Sequence, residues 1–239
     1  MINTLLFDLD GTLLQVDTDL FVSKYLQALA SKIEGMVDPK LFIDHLLKAT
    51  DIMIHNGDSR KTNQEVFWEA FLPNIPYESK KLHRVLDEFY EVDFPKLSSV
   101  LEKTDDPTDI LHSALGKGYE VVIATNPIFP RVAVLDRLRW IDAENLPFRL
   151  ITTYENMHFS KPYKEYYLEI LDKIGRHPRE CMMIGNDVDE DMVAGELGIE
   201  TYLVTDFLLN RNGLDIENYR RGTLQDLKKY ISKFKEAIA

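Results

Sequence analysis

The chain has 239 residues, a formal charge of −12 and 45% apolar residues: enough for the core of one large domain or two modest ones, and too many for global disorder. Its acidity argues against a nucleic-acid or anionic-membrane partner, since both are held by net basic surfaces, but leaves room for a small anion bound locally. The single cysteine, Cys181, sits in an apolar stretch, so an internal disulfide is excluded and a reducing, cytosolic setting is expected.

No run approaches the ~20 apolar residues of a membrane span, and the N-terminal run meets Asp8 too early to read as a signal peptide. Leu5 to Phe7 is short, apolar and free of polar alternation, the pattern of a strand buried on both faces of a parallel sheet. It stops at Asp8. Asp10 follows two residues on, which on an extended chain puts both carboxylates on the same side, and Gly11 breaks the strand there. Two acids that close stay ionised together only with a cation, a shared proton or full solvent.

From residue 15 to about 95 the pattern is amphipathic helix. Asp17, Thr18 and Asp19 offer N-caps to a run carrying Leu20, Phe21, Tyr25, Leu26, Leu29 and Ile33 and ending at Gly35. Asp38-Pro39 opens a second helix with Phe42, Ile43, Leu46 and Leu47, continued by Ile52 to His55 and a polar loop over 56–63. Helices at about 64–72 and 78–90 carry Val66, Phe67, Trp68 and Phe71, then Leu82, Val85, Leu86, Phe89 and Tyr90. These stripes can bury one another in a small bundle.

Beyond about residue 95 strands and helices alternate. Asp105 or Asp106 caps a helix that Pro107 starts and that stops at Gly116. A strand over 120–124 delivers Thr125 and Asn126, a helix over 131–140 leads to a strand over 148–152, and Ser160-Lys161-Pro162 precedes a helix over 163–174. Cys181 to Ile184 is a buried strand ending at Gly185-Asn186-Asp187-Val188-Asp189-Glu190-Asp191, followed by a helix to about Leu197, a strand over 201–204 and a last helix capped by Thr223, with Leu224, Leu227, Tyr230, Ile231 and Phe234 facing inward. The mixed charges after Tyr219 read as that helix's exposed face. Alternating strands and helices imply right-handed crossovers and a doubly wound parallel sheet. The fold class is therefore α/β, a Rossmann-like core over 1–14 and 96–239 with an inserted helical domain over 15–95.

Asp8 with Asp10, Thr125 with Asn126, Lys161, and Asp187 with Asp191 each follow a predicted strand, and the carboxyl ends of parallel strands converge on one edge. The carboxylates make a hard oxygen site suited to Mg²⁺, and a hydroxyl, an amide and an ammonium suit phosphate oxygens. With these clusters in this order, the chain resembles the haloacid dehalogenase superfamily of phosphohydrolases over essentially its full length. Asp8-Leu9-Asp10-Gly11-Thr12 looks like the first motif, Thr125 the second, Lys161-Pro162 the third and the 185–191 segment the acidic fourth, with the helical insert similar to the family's cap.

The resemblance implies a nucleophile at Asp8, an acid/base at Asp10, phosphoryl binding by Thr125, Asn126 and Lys161, and Mg²⁺ held by Asp8, the Asp10 carbonyl and an acid of the fourth motif, Asp187 or Asp191. One departure is that many relatives have Gly-Asp where this chain has Gly185-Asn186-Asp187; the metal slot falls to Asp187 by proximity or to Asn186 without a shift, and Asp187 is favoured as the better ligand. A calcium loop starting at Asp187 is excluded, because Met192 replaces the required glycine and Gly198 falls at position twelve. His45, His83, His112, His158 and His177 show no zinc spacing and read as surface or packing residues. His55, Arg60 and Lys61 are candidates for reaching over the core site to read the leaving group. The implied activity is a cytosolic, Mg²⁺-dependent phosphatase acting on a small phosphorylated metabolite, with no nucleic-acid or membrane partner. A phosphomutase using the same aspartyl nucleophile and a silent metabolite-binding protein are the alternatives.

Overall fold

The computed structural model describes residues 1–102 and 107–237. Its described strands form one parallel sheet: β1 (Thr4–Phe7), β2 (Glu120–Ile123), β3 (Leu150–Ile151), β4 (Cys181–Gly185), β5 (Glu200–Val204) and β6 (Arg221–Gly222), in the order β3-β2-β1-β4-β5-β6. Leu5 lies opposite Val121 on one side and Met182 on the other. The winding direction reverses where β1 meets β4, the place in such sheets where a crevice opens beyond the carboxyl ends.

Side chains leave each strand alternately, so each strand feeds both faces. Leu6, Val122 and Met183 pack with Tyr166, Tyr167 and Ile170 of α7 (Lys164–Ile174). Leu5, Phe7, Val121 and Ile184 face the other way, toward Ile110 and Leu111 of α5 (Thr108–Gly116), Val134 and Leu138 of α6 (Arg131–Arg139) and Leu227 and Ile231 of α8 (Leu224–Ser232).

Four helices lie between β1 and α5: α1 (Thr18–Ile33), α2 (Pro39–Ile54), α3 (Asn63–Phe71) and α4 (Ser79–Glu88). The Asp17 and Asp38 carboxylates accept from Leu20 and Leu41 N–H groups, and Thr62 with Glu65 closes a reciprocal cap on α3. The buried positions of α1 (Phe21, Tyr25, Leu29, Ile33) and α2 (Phe42, Leu46, Ala49, Met53) recur at helical spacing and join the same apolar cluster as Leu5 and Phe7. Asn63, fully buried, ties α3 to the loops beyond β2 and β3: its Nδ2 donates to Pro127 O at 3.2 Å and Ser160 Oγ at 3.0 Å, and its N–H to Met157 O at 2.8 Å. Where the chain enters and leaves the insert, Glu102 N–H donates to Gln15 O at 2.8 Å.

Several elements differ from the sequence-based expectation. Leu20 and Leu47, assigned to inward stripes, are about half exposed. After α4 the chain makes one π turn (Phe89–Asp93) and a 3₁₀ stretch (Phe94–Val100) rather than leaving the helical region at 95. Phe94 there stacks on Trp140 with centroids 5.5 Å apart, and that packing outweighs the weak local helix signal. The segment over Met192–Leu197 is 3₁₀ rather than α, and Phe234 lies past the end of α8. The charged stretch after Tyr219 contains β6, at two residues too short for any periodicity to reveal. The expected caps Asp105 and Asp106 lie outside the described residues.

Replacing Asn63 by Ala strands the Pro127 carbonyl and Ser160 hydroxyl that its side chain serves, so urea unfolding should show a loss of about 1–3 kcal/mol. The Cys181 thiol is fully buried, and burial pushes its pKa up to about 12. A thiol reagent near pH 8 should therefore label Cys181 only after denaturation.

Candidate active site

A cavity of about 140 Å³ opens beyond the carboxyl ends of β1, β2 and β4, lined by Asp8, Asp10, Thr125, Asn126, Asn186, Asp187, Glu190, Asp191 and Arg211. Thr18, Phe21 and Val22 of α1 close one wall. After β1 the chain folds back through Gly11, whose φ of +82° suits glycine, and Leu14 N–H donates to Leu9 O at 2.8 Å. A Cβ on Gly11 would lie 2.3 Å from Asn186 Nδ2, so the missing side chain also makes room for that amide.

Lys161 is the centre of the arrangement. It is fully buried, with Nζ 2.7 Å from Asp8 Oδ1 and 2.6 Å from Asp191 Oδ1. Burial alone would lower the ammonium's pKa, but Asp191 and Asp8 more than offset that and raise it well above its usual value, so Lys161 stays charged. The other oxygen of Asp191 accepts from Asp187 N–H at 3.0 Å. Asp191 presses so closely on Gly185 that a Cβ there would lie 2.0 Å from Oδ2.

Asn126 joins two motifs: its Oδ1 accepts from Lys161 N–H at 3.3 Å, and its Nδ2 donates to Glu190 Oε2 at 3.1 Å. Thr125 lines the cavity, and its carbonyl accepts from Thr152 Oγ1 at 2.7 Å and Tyr166 OH at 2.9 Å, which fixes the turn that carries it. Asp187 Oδ1 accepts from the N–H groups of Asp189 and Glu190, and Oδ2 lies 3.2 Å from Arg211 Nη1. Asn186 spends its amide on structure, accepting from Thr12 Oγ1 at 3.0 Å and donating to Phe207 O at 2.6 Å.

Asp10 pairs through Oδ2 with Arg137, a fully buried guanidinium that also donates from Nε to Ala133 O at 3.2 Å and lies 4.6 Å from the Phe129 ring centroid. Asp10 Oδ1 has no partner among the described residues. Burial raises the Asp10 pKa against the opposing pull of Arg137, and Asp8 adds to the rise. Burial likewise raises Asp187, and carries Glu190 up to about 7.

The structure therefore brings Asp8, Asp10, Thr125, Asn126, Lys161, Asp187 and Asp191 together. It does not bring in His55, Arg60 or Lys61, none of which lines the cavity. Arg60 is held by Asp58, Lys61 by Glu69, and His55 sits over Tyr163 and beside Asp51. Arg137, Glu190 and Arg211 were not anticipated. Arg137 had a signal, since it occupies the inward face of α6 with Ala133, Val134 and Leu138, where an apolar residue is the default.

Five carboxylates of this region, Asp8, Asp10, Asp187, Glu190 and Asp191, face three cations, Lys161, Arg137 and Arg211. Among the described residues no three Asp, Glu, His or Cys side chains are placed to hold a metal ion by themselves, so a metal here needs further oxygens from the main chain, water or the substrate. The donors are hard oxygens, acids outnumber cations and Asp10 Oδ1 has no partner among the described residues, a combination that fits a divalent cation such as Mg²⁺.

Residues 2–198 match the family model of the haloacid dehalogenase-like hydrolases. The pyrophosphatase PpaX of Bacillus cereus strain AH820 is 24% identical over 215 residues, 90% of this chain and 88% of that one. A HAD phosphatase from Thermococcus onnurineus superposes with a TM-score of 0.60 at 20% identity, covering 99% of this chain and all of that one. The L-2-haloacid dehalogenase PA0810 superposes with a TM-score of 0.61 at 16% identity, covering 97% and 99%. At such identities the solved structures show a shared fold and leave the substrate open.

Removing Arg137 leaves the buried Asp10 carboxylate without its counter-charge. Arg137→Met should lower unfolding free energy by about 3–5 kcal/mol, and adding Asp10→Asn should recover a large part of that loss in the double-mutant cycle.

Proposed function

The chain belongs to the haloacid dehalogenase-like hydrolases, and within that family we propose that it is a Mg²⁺-dependent phosphatase that hydrolyses a small phosphorylated metabolite through an aspartyl-phosphate on Asp8. The observation carrying this reading is the convergence of Asp8, Asp10, Thr125, Asn126, Asp187 and Asp191 on one cavity, with Lys161 bonded to both Asp8 and Asp191. The helices over 15–95 act as a cap on a core of 1–14 and 96–239, supported by the wall that α1 contributes to the cavity.

Asp8 is the nucleophile. Lys161 occupies Oδ1 and orients the carboxylate for in-line attack on phosphorus; an oxygen–phosphorus bond forms to Asp8 as the bond to the leaving oxygen breaks. Asp10 gives its proton to that leaving oxygen, then takes one from the water that attacks the aspartyl-phosphate, releasing inorganic phosphate and restoring Asp8. Arg137 holds Asp10 by one oxygen and leaves the other, without a partner among the described residues, for this exchange. Thr125, Asn126 and Lys161 bind the phosphoryl oxygens. Mg²⁺ would be held by the Asp8 carboxylate, the Asp10 carbonyl and the Asp187 carboxylate, and would supply charge neutralisation on the phosphoryl group. The commitment of Asn186 to Thr12 and Phe207 supports Asp187 rather than Asn186 as the ligand, and the fully buried contact of Asp191 with Lys161 supports an anchoring role for Asp191.

Hydrolysis of a carbon–halogen bond releases a halide that needs no proton, so the built-in placement of Asp10 favours an oxygen leaving group. The relatives named as a pyrophosphatase and a phosphatase fit the same chemistry.

Phosphate release from 4-nitrophenyl phosphate and a panel of phosphorylated metabolites tests the reading. The expected result is turnover that EDTA abolishes, Mg²⁺ restores and Asp8→Asn removes. An isomerised sugar phosphate without free phosphate would mark a mutase, and tight metabolite binding without any turnover would mark a silent binder.

A further inference from the structure

Beside the reaction cavity lies a larger one of about 310 Å³, and the two meet at Val22, Ile128 and Phe129, which line both. That volume is at the lower end of small-molecule sites, typically about 300–1,000 Å³. Its walls come from α1 through α4 and the loop after β2, with Tyr25, Leu29, Leu46, Phe67 and Trp68 among them. Leu47 and Val132 also line it and are 48% and 39% exposed, which gives the cavity an opening to solvent.

Its polar features are few and one-sided. Asp87 and Glu155 are the charged residues in the wall, with no Lys or Arg among the described lining residues. Glu155 directly follows Tyr154 in the chain and is partly buried, Asp87 is exposed, and both add to the rise that burial, first, gives the Tyr154 hydroxyl's pKa. Glu155 Oε1 accepts from Arg131 N–H at 2.7 Å at the start of α6, while Oε2 has no partner among the described residues. Gln64 Nε2 lies 3.4 Å from Tyr154 OH, and the Tyr25 and Tyr90 hydroxyls pair at 3.0 Å.

A leaving group bearing a second phosphate or a carboxylate would enter this space without a counter-charge and face two acids, an uncompensated burial of charge. An aromatic body with an ammonium group instead meets apolar walls, aromatic faces and two acids. We propose that this cavity takes the leaving alcohol and selects phosphomonoesters of aromatic alcohols carrying a cationic amine. The inference rests on the phosphatase reading of the adjoining cavity, and it sets this chain apart from a relative named for pyrophosphate.

The test compares kcat/KM for O-phosphotyramine, phenyl phosphate, 4-carboxyphenyl phosphate and pyrophosphate, with calorimetric titration of tyramine as a separate measurement on the same protein. O-phosphotyramine should exceed 4-carboxyphenyl phosphate and pyrophosphate by roughly tenfold or more, the scale of one charged hydrogen bond. Glu155→Gln, which retains an oxygen for the α6 N-terminus, should cut the tyramine preference by a similar factor. Leu47→Arg, a change at an exposed position, should weaken tyramine binding and improve the relative turnover of 4-carboxyphenyl phosphate. Equal or faster turnover of 4-carboxyphenyl phosphate or pyrophosphate by the wild type overturns the inference and leaves the phosphatase intact. Absence of phosphate release from every ester, 4-nitrophenyl phosphate included, overturns the phosphatase reading instead. Tyramine binding that Glu155→Gln weakens would then still support the cavity's selectivity, and no tyramine binding would overturn it.

Discussion

The organising constraint is electrostatic: a parallel sheet gathers more carboxylates at one edge than that edge could hold unaided, and Lys161 makes the arrangement tenable. An ammonium with no solvent contact would normally lose its proton. Here Asp8 and Asp191, at 2.7 and 2.6 Å, keep it charged, and it in turn keeps them together. The rest of the site is arranged around that three-body contact. Gly185 has no side chain because Asp191 fills the space a Cβ would need, and Gly11 has none because Asn186 does. Arg137 repeats the device one residue pair away, holding Asp10 from beneath while resting on Phe129.

The sheet and the chemistry-bearing turns were readable because their signals are local. Leu5 to Phe7 could only be a buried strand, and Asp8, Thr125, Lys161 and Asp187 each stand just past a strand or in the loop that follows one, where chain direction alone brings them together. Arg137, Glu190 and Arg211 were missed for the converse reason: each depends on which helix face or loop packs over the edge, and charge on a helix is ordinarily solvated. The π turn at Phe89 and the exposure of Leu47 arise the same way, from aromatic packing and from a cavity that no periodicity encodes. Arg60 and Lys61 misled because a basic pair in a polar loop suggests an anion, whereas Asp58 and Glu69 are near enough to take them both.

Family membership and substrate choice live on different parts of the molecule. The sheet edge carries the residues that the proposed reaction uses whatever the leaving group, and the same fold is shared with a phosphatase and a dehalogenase. What differs from one such protein to the next must lie where the leaving group sits. In this chain the proposed space is walled by the inserted helices and its charged lining residues are acids, so its charge is the reverse of what a pyrophosphate or a carboxylate-bearing substrate requires.

The position of β1 in the middle of the sheet bears on how the protein is made. Thr4 meets Glu120 and Asn3 meets Glu180, contacts that span 116 and 177 residues. At roughly 5–20 residues per second on the ribosome, the strand that leads to Asp8 waits on the order of ten seconds or more for its last neighbour. In that interval Leu5, Leu6 and Phe7 have no completed sheet to enter. The helical insert is synthesised first, and the hydrogen bond from Glu102 to Gln15 shows that, once folded, it returns the chain to its starting point. A long loop closure is thereby replaced by a short one before β2 is complete.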